Sequence, residues 1–347
     1  MLPELAPDRA APPSPPPGRE PQASPAPPPM VEIRDLSVSF GRGRMMAVRG
    51  VGLELSGGEV VGLVGESGSG KSLTALSLMG LLPHGARQET GTITFKGESL
   101  ADMPPKKRRE MCGRNMGMVF QEPLTALNPV LTIGEQVSEI FRIRLGKSRA
   151  EAGGMALGLL SQVGLPNPRQ AMRSYPHRFS GGMRQRVVIA MALALDPELV
   201  VADEPTTALD PTIAAQIIRL LSDMAADRGS AVLFITHNLR LLPGLASRVL
   251  VMYAGLIVEQ IPGGDLADPG HPYTRGLLRA LPPAPSERRP ERLVPIPGQP
   301  PSPGDLEAGC PFAPRCPVVL PPCRRSLPAL LETAPGRLAR CHRCQGA

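Results

Sequence analysis

An α/β fold with a largely parallel sheet is the architecture that this sequence of 347 residues predicts. Three short runs, at 59–64, 199–202 and 231–235, are almost wholly apolar, as are strands that a parallel sheet buries on both faces. A polar or glycine-rich turn and then a helical pattern follow each of them. Strands that alternate with helices in this way are typical of an α/β domain, and the chain is long enough for one domain with a small second module.

The remaining segments complete this outline. They are strand-like at 31–40, 51–55 and 91–96, and helical at 72–82 and 132–195. The long helical stretch interrupts the sheet-forming runs, so we expect a helical subdomain at about 125–195.

Both ends of the chain differ from its middle. Residues 1–29 contain twelve prolines and predict a disordered tail, because such a segment cannot build a core. Residues 30–262 carry the α/β pattern. Residues 263–347 are rich in Pro, Arg and Cys with little periodicity, so we expect a separate C-terminal extension that does not continue the sheet.

Composition narrows the classes of function. Aromatic residues make up 3% and Trp is absent, which argues against an aromatic belt at a membrane interface or a stacking platform for nucleic acid. The net charge of +7 comes from scattered arginines and does not by itself indicate a nucleic-acid surface. The longest apolar run, 187–195, is about half of the ~20 residues that a membrane-spanning helix needs. With no secretory signal in the sequence, we expect the protein to stay in the cytoplasm.

A glycine-rich segment between a strand and a helix predicts a phosphate-binding loop. It fits the pattern G-x-x-x-x-G-K-S, and its residues are Gly65, Glu66, Ser67, Gly68, Ser69, Gly70, Lys71 and Ser72. The glycines let successive backbone N–H groups turn towards phosphates at the positive end of a helix. We expect Lys71 to reach the β- and γ-phosphates of a bound nucleotide and the Ser72 hydroxyl to bind Mg²⁺.

Two carboxylates end the apolar strand at 199–202. At the carboxyl edge of a parallel sheet they lie beside the phosphate loop, so we expect Asp203 to hold Mg²⁺. Glu204 is placed to act as the general base on the attacking water.

Further motifs lie in a fixed order around the phosphate loop. The segment 179–186 contains Ser180, Gly181, Gly182 and Met183, and Gln121, Asp210 and His237 each stand in a short motif of their own. With these motifs the chain resembles the ATP-binding cassette (ABC) ATPases. The segment 179–186 resembles their signature sequence, with Met183 where many members have Gln. Gln121 matches the Q-loop, Asp210 the D-loop and His237 the switch histidine, and Phe40 stands where an aromatic residue stacks on adenine.

The resemblance implies a P-loop NTPase fold, in which a RecA-like core carries an antiparallel β subdomain and a helical subdomain. It also implies a mechanism in which two domains pair head to tail and the signature residues of one close on ATP held by the other. Gln121 would bind Mg²⁺ together with Ser72 and Asp203, and would couple the nucleotide to a membrane partner.

Three stretches, 120–136, 175–177 and 271–278, look like the oligopeptide/dipeptide/nickel importers, and the first favours their D-type subunit. This implies two membrane permeases, a second F-type ATPase that completes a heterodimer, and indirectly an extracytoplasmic solute-binding protein. The location implied is the cytoplasmic face of the inner membrane, where the chain is peripheral.

Five of the six cysteines lie in the last 38 residues, and clustered thiols in a cytoplasmic protein favour a metal over disulfides. The candidate ligands are Cys310, Cys316, Cys323 and Cys341, with Cys344 and His342 as substitutes, whereas Cys112 reads as an ordinary thiol. Some members of the resembled family carry a [4Fe-4S] cluster here, which makes it the first choice. Zn²⁺ and plain reduced thiols remain as alternatives, although the spacing is loose for zinc.

Three other classes of function fit the sequence less well. The alternative of a different class is a soluble ABC ATPase that acts on nucleic acid, but those proteins usually carry two nucleotide domains or a coiled-coil insert. A P-loop kinase has no role for the signature or for His237. An export ATPase lacks the extension that begins near His271, so uptake is the expected direction and no nucleic-acid partner is expected.

Overall fold

The computed structural model describes residues 28–41, 45–207, 209–282, 293–302, 304 and 308–346, except for the side chains of Leu124 and Thr125. Most of the predicted disordered tail therefore lies outside the described residues. The strands are β1 Val31–Phe40, β2 Met45–Leu55, β3 Val60–Val64, β4 Ala86–Phe95, β5 Glu98–Ser99, β6 Met116–Val119, β7 Leu199–Asp203, β8 Ala231–Thr236, β9 Arg248–Tyr253, β10 Leu256–Pro262, β11 Leu331–Ala334 and β12 Arg337–Ala339. The helices are α1 Lys71–Met79, α2 Pro105–Arg114, α3 Pro123–Ala126, α4 Ile133–Leu145, α5 Arg149–Gln162, α6 Pro168–Ala171, α7 Gly181–Leu193, α8 Pro211–Arg228 and α9 Pro272–Ala280.

The larger sheet runs in the order β11-β12-β10-β9-β3-β8-β7-β6. Its central strands, from β9 to β6, pair in parallel, which confirms the predicted α/β fold. The β8 side chains alternate between two apolar cores: Val232 and Phe234 lie in one, Leu233 and Ile235 in the other. Because both faces are covered, these strands carry the unbroken apolar runs that the sequence displays.

A second, antiparallel sheet has the order β2-β1-β4-β5. Val31 pairs with Leu55 across its first two strands. Its inner side chains share a core with the larger sheet and with α1, through residues such as Ile33 and Leu78. β1 has the bounds predicted from the sequence, whereas β2 and β4 begin earlier than the predicted strands at 51–55 and 91–96, because bulges between β1 and both of its neighbours disturb the alternation.

The helices α3 to α7 lie in the chain between β6 and β7, where a helical subdomain was expected. Capping boxes begin two of them, with Thr132 and Glu135 at the start of α4 and Ser148 and Glu151 at the start of α5. Phe141 of α4 packs into the same core as α5 and α7.

The expectation that residues beyond 262 do not continue the sheet was wrong. The hairpin β11–β12 extends the larger sheet, because Glu259 of β10 pairs with Ala339 and Gln260 with Leu338. β10 would otherwise leave a row of backbone N–H and C=O groups unpaired at a sheet edge. A strand as short as β12 has no period that sequence can reveal. Among the described residues, no helix is long and apolar enough to cross a membrane.

Candidate functional site

The predicted phosphate loop connects β3 to α1, and its backbone needs glycine. A Cβ on Gly65 would lie 2.1 Å from the carbonyl oxygen of Met252, and Gly70 has φ +107°. Lys71 opens α1 with only 5% of its surface exposed, and its Nζ donates to the carbonyl oxygens of Gly65 and Glu66, both at 2.8 Å. The loop therefore encloses an ammonium group at the positive end of a helix, which suits it to bind phosphate.

Burial lowers the pKa of Lys71, while the carboxylates of Glu204, Asp203 and Glu66 oppose that change. The first two stand at the end of β7, two strands from the loop. The negative charge around Lys71 keeps the ammonium form available to a phosphate.

Asp203, the last residue of β7, is 5% exposed. Burial raises its pKa, and a hydrogen bond from Ser72 counteracts that rise. Its Oδ1 has no hydrogen-bond partner among the described residues. A buried carboxylate oxygen without a partner, close to a hydroxyl at the phosphate loop, fits the oxygen ligands that Mg²⁺ prefers.

Three side chains converge on one oxygen of Glu204. Its Oε2 lies 3.1 Å from Nδ1 of His237, accepts from the Thr207 hydroxyl at 2.9 Å, and accepts from Nε2 of Gln121 at 3.4 Å. These residues follow three adjacent strands, β8, β7 and β6. The sheet thus brings Gln121 and His237 to one oxygen of Glu204, from which the sequence separates them by 83 and 33 positions.

The signature residues lie at another helix end. Ser180 caps α7 and accepts from the Met183 backbone N–H at 3.3 Å, and its side chain is exposed. Gln185, farther along α7 and buried, donates to the carbonyl oxygen of Phe120, the residue before Gln121. None of the hydrogen bonds described for the signature residues involves a residue of the phosphate loop. Within one chain, the signature and the phosphate loop are therefore separate.

Two other predicted residues lie at the edges of elements. Asp210 caps α8 and accepts from the Ile213 backbone N–H at 3.0 Å. Phe40 ends β1 with 42% of its surface exposed, which leaves its ring accessible for stacking.

Sequence reasoning missed the contacts that the C-terminal extension makes with the loop. Arg315 holds both carboxylate oxygens of Glu66, with its NH1 and NH2 donating at 2.7 and 2.9 Å. The Tyr273 hydroxyl accepts from the Glu66 backbone N–H at 2.9 Å. No sequence signal could have found these pairs, since they join residues 249 and 207 positions apart.

The cysteines gather at one place. Cys310, Cys316, Cys323 and Cys341 line a single small cavity beside Phe312. Burial raises the pKa of Cys310 to about 11. Among the described residues, no three His, Cys, Asp or Glu side chains are positioned to hold a metal ion.

Cys344 lies next to this cavity, whereas Cys112 lies on α2. A hydrogen bond with Cys344 lowers the pKa of Cys341, and the Cys344 Sγ lies 3.3 Å from the carbonyl oxygen of Gly270. Cys112 is half-buried on α2, where burial raises its pKa.

Comparisons with known proteins agree with this geometry. Residues 48–207 match the family model "ABC transporter", and residues 258–323 match "Oligopeptide/dipeptide transporter, C-terminal region". A probable peptide ABC transporter ATP-binding protein of Sinorhizobium fredii is 46% identical over 90% of this chain and 95% of its own length. The oligopeptide transport ATP-binding proteins OppD of Salmonella typhimurium and AppD of Bacillus subtilis are each 44% identical over 90% of this chain and over 93% and 96% of their own lengths.

Solved structures give the same result for the fold. A dimeric ATP-binding cassette in a post-hydrolysis state, bound to ADP and Pi, superimposes with a TM-score of 0.62 at 27% identity. The match covers 67% of this chain and 98% of that one. The fold is therefore that of an ABC ATPase, and this chain belongs to the ATP-hydrolysing, ATP-binding proteins of ABC transporters, in their oligopeptide/dipeptide branch.

Proposed function

We propose that this chain hydrolyses MgATP as one of two motor subunits that drive the uptake of peptides, or of a related small solute such as nickel, through membrane permeases. One observation carries the catalytic part: Gln121, Thr207 and His237 converge on Glu204 beside the buried Asp203. The cargo rests on the names of the relatives, which are those of oligopeptide and peptide transport proteins.

The chemistry follows from these positions. Glu204 accepts a proton from the attacking water, and His237 holds the carboxylate and contacts the γ-phosphate. Lys71 and the loop amides position the phosphates and offset their charge, which is the main catalytic contribution available in phosphoryl transfer. Ser72, Gln121 and Asp203 would hold Mg²⁺, which would supply positive charge to offset that of the phosphate oxygens. The proposed ATP-binding residues are Phe40, Gly65, Glu66, Ser67, Gly68, Ser69, Gly70, Lys71, Ser72 and Gln121.

We further propose that the signature acts across a dimer. The exposed Ser180, at the N-terminus of the 13-residue helix α7, can present its hydroxyl and helix-end amides to the γ-phosphate bound by a partner. Gly181, Gly182, Met183 and the D-loop residue Asp210 would line the same interface. By resemblance the partner is a second, F-type ATPase.

The chain also has a candidate surface for binding a permease. A groove of about 430 Å³ is lined by residues of α4, α7 and β6 and includes Phe120, Ile140, Ile143 and Met191. Ile143 is 68% exposed, and Phe120, Ile140 and Met191 of the same groove are partly exposed. Together they give the groove an apolar patch, which is the surface feature that protein interaction sites carry. Phe120 precedes Gln121, so a permease segment seated there would be next to the γ-phosphate site.

The remaining assignments follow this proposal. The domains are a tail at 1–29, an ATPase domain at 30–262 with its helical subdomain at about 125–195, and an extension at 263–347. Permease binding would hold the chain peripherally at the cytoplasmic face of the inner membrane, and a solute-binding protein would deliver cargo to the permeases. The transport names of the relatives give no support to the nucleic-acid alternative.

Reconstitution tests the proposal. The chain, its permeases and the second ATPase are placed in proteoliposomes with the solute-binding protein, and uptake of a labelled tripeptide or of ⁶³Ni²⁺ is measured with MgATP. We expect ATP-dependent uptake of one of them and its loss in a Lys71→Ala assembly. Hydrolysis without uptake of either cargo would contradict the import function.

We also propose that the thiol-lined cavity, defined by Cys310, Cys316, Cys323 and Cys341, binds a [4Fe-4S] cluster, with Zn²⁺ as the alternative. The donor chemistry supports this, because four thiols line one cavity. The space does not fit as it stands: about 20 Å³ holds one water molecule, so the thiols would have to turn outward to admit iron and sulfide. We therefore derive no step of hydrolysis from it.

Iron, sulfide and zinc assays on anaerobically purified protein test this second proposal. We expect four iron atoms per chain, lost in Cys316→Ser and kept in the control Cys112→Ser. One zinc ion per chain would show that the site binds Zn²⁺ instead of a cluster. Absence of iron, sulfide and zinc would show that the cysteines are plain reduced thiols.

A further inference from the structure

The C-terminal extension reaches into the phosphate loop through a single loop residue. Glu66 uses its three polar groups in three directions: its carbonyl oxygen accepts from Lys71, its N–H donates to the Tyr273 hydroxyl, and its carboxylate binds Arg315. Two of these partners belong to the segment beyond residue 262. The conformation at the start of the loop is therefore determined jointly by Lys71 and by the extension.

Arg315 is buried, and hydrogen bonds fix the position of its guanidinium. Its side chain is 5% exposed, and each of its three nitrogens donates at least one hydrogen bond. Besides the two bonds to Glu66, its Nε donates to the carbonyl oxygen of Pro297 at 2.8 Å and NH1 to the Tyr253 hydroxyl at 3.3 Å. The hydrogen bonds to Glu66 raise its pKa, so the guanidinium remains charged. A buried, bidentate guanidinium fixes both position and orientation of its carboxylate.

An aromatic cluster holds the two extension residues against the sheet. The rings of Tyr253, Tyr273 and Phe312 have centroids 4.6 to 5.4 Å apart, and all three side chains are at most 2% exposed. Phe312 belongs to the same short segment as Arg315, and Tyr273 to α9. Movement of the segment relative to the loop would have to disturb this packed contact.

The negative charge of Glu66 is the reason why its ion pair with Arg315 affects ATP binding. Glu66 places a negative charge close enough to Lys71 to affect its titration. ATP brings several negative charges to the same loop, and an unpaired Glu66 would repel them. Arg315 offsets that charge, and the Tyr273 hydroxyl accepts from the Glu66 amide, the second of the loop.

We propose that Arg315 and Tyr273 are positioning residues for the ATP site: they neutralise and orient Glu66, and thereby make MgATP affinity depend on the C-terminal extension. The inference rests on the proposed ATP site at residues 65–72. It concerns how tightly nucleotide binds, not the chemical step, because neither residue touches Glu204 or His237 in the described structure.

The test compares full-length variants for the Kd of MgATP and for the KM and kcat of hydrolysis. Arg315→Gln leaves Glu66 charged and unheld, so we expect Kd and KM to rise about tenfold with kcat within about twofold, the pattern of lost binding. Adding Glu66→Gln removes the unpaired charge, so the double variant should recover to within about threefold of wild type. Tyr273→Phe should raise Kd about threefold, and Arg324→Gln, an exposed arginine of the same extension, should change nothing.

A folded Arg315→Gln protein with wild-type Kd would overturn the inference, as would a fall in kcat at unchanged KM. If thermal melting shows that Arg315→Gln does not fold, the Tyr273→Phe variant becomes the test. An unchanged Kd of MgATP in that variant would then overturn the inference. Lys71→Ala is titrated alongside. Wild-type MgATP affinity in Lys71→Ala would reject the proposed ATP site itself. If Lys71→Ala loses affinity but Arg315→Gln binds MgATP normally, only the role of the extension is rejected.

Discussion

Nδ1 of His237 lies 3.1 Å from Oε2 of Glu204, although the two residues follow different strands. Glu204 adopts φ +47°, a left-handed conformation that costs a non-glycine residue about 1–2 kcal/mol. Its backbone N–H donates to the carbonyl oxygen of Ile235 on β8 at 2.9 Å, which holds the strained residue in place. The strain turns the side chain out of the strand direction and towards the side chains that hold it.

Replacing Glu204 by Gln should therefore separate binding from chemistry. The amide keeps the shape of the side chain but cannot take a proton from water. We expect turnover to fall about 10²- to 10⁴-fold with MgATP affinity nearly unchanged. Steady-state hydrolysis and equilibrium titration of the same preparation measure both quantities.

Glu198→Gln serves as the matched control. Glu198 lies just before the same strand, at the end opposite Glu204, where it is half-buried and paired with Lys96, so turnover of the variant should match wild type. Near-normal hydrolysis by Glu204→Gln would show that another group acts as the base.

Removing the Lys71 ammonium should affect binding most. The residue contributes the charge inside the loop and also bonds two loop carbonyls, so Lys71→Ala loses both effects. We expect MgATP affinity to fall about 100-fold. Lys71→Arg keeps the charge but is too large for the buried position and should recover little of it. Unchanged affinity in Lys71→Ala would place the nucleotide elsewhere.

The predictable parts of this molecule are those encoded locally. Lys71 could be assigned because a continuous segment of eight residues forms the phosphate loop. Glu204 and His237 are 33 residues apart, and their proximity follows from parallel strands that end at one edge. Arg315 meets Glu66 across 249 residues with no periodic signal between them. Only the folded chain reveals contacts of this kind, in which an irregular segment contributes one side chain.

Replacing Ser180 should reduce ATP hydrolysis by the assembled pair without affecting the folding or the MgATP affinity of the single chain. Aspartate caps a helix as well as serine does, so Ser180→Asp should fold normally. Its charge would face the γ-phosphate held by a partner. We expect the chain's own MgATP affinity to stay within about twofold, while hydrolysis by the assembled pair falls at least about tenfold.

Ser180→Asn is the neutral control of the same shape and should retain more activity than Asp. Thermal melting shows that both variants fold. Full hydrolysis by the Ser180→Asp pair would mean that the signature does not face the partner's nucleotide.

His271 should make the extension sensitive to acid. It is 1% exposed, and burial lowers its pKa to about 4, against about 6.5 in an unfolded chain. The folded form therefore resists a proton that the unfolded form accepts. This contribution to stability is fully present above pH 6.5 and is lost as the pH falls towards 4, amounting to about 2 kcal/mol between pH 7.5 and 5.

His271→Asn isolates that contribution, because asparagine can replace the ring Nδ1 as acceptor for the Tyr273 backbone N–H at the start of α9 without titrating. The variant should be less stable at pH 7.5 but should lose about 2 kcal/mol less than wild type when urea unfolding is repeated at pH 5. Glu259 accepts from the His271 N–H at 2.9 Å, and burial raises its pKa, so its own pH dependence has the opposite sign. Since Glu259 is present in both proteins, its contribution largely cancels in the comparison, and equal losses in the two would mean that His271 is not kept neutral by the fold.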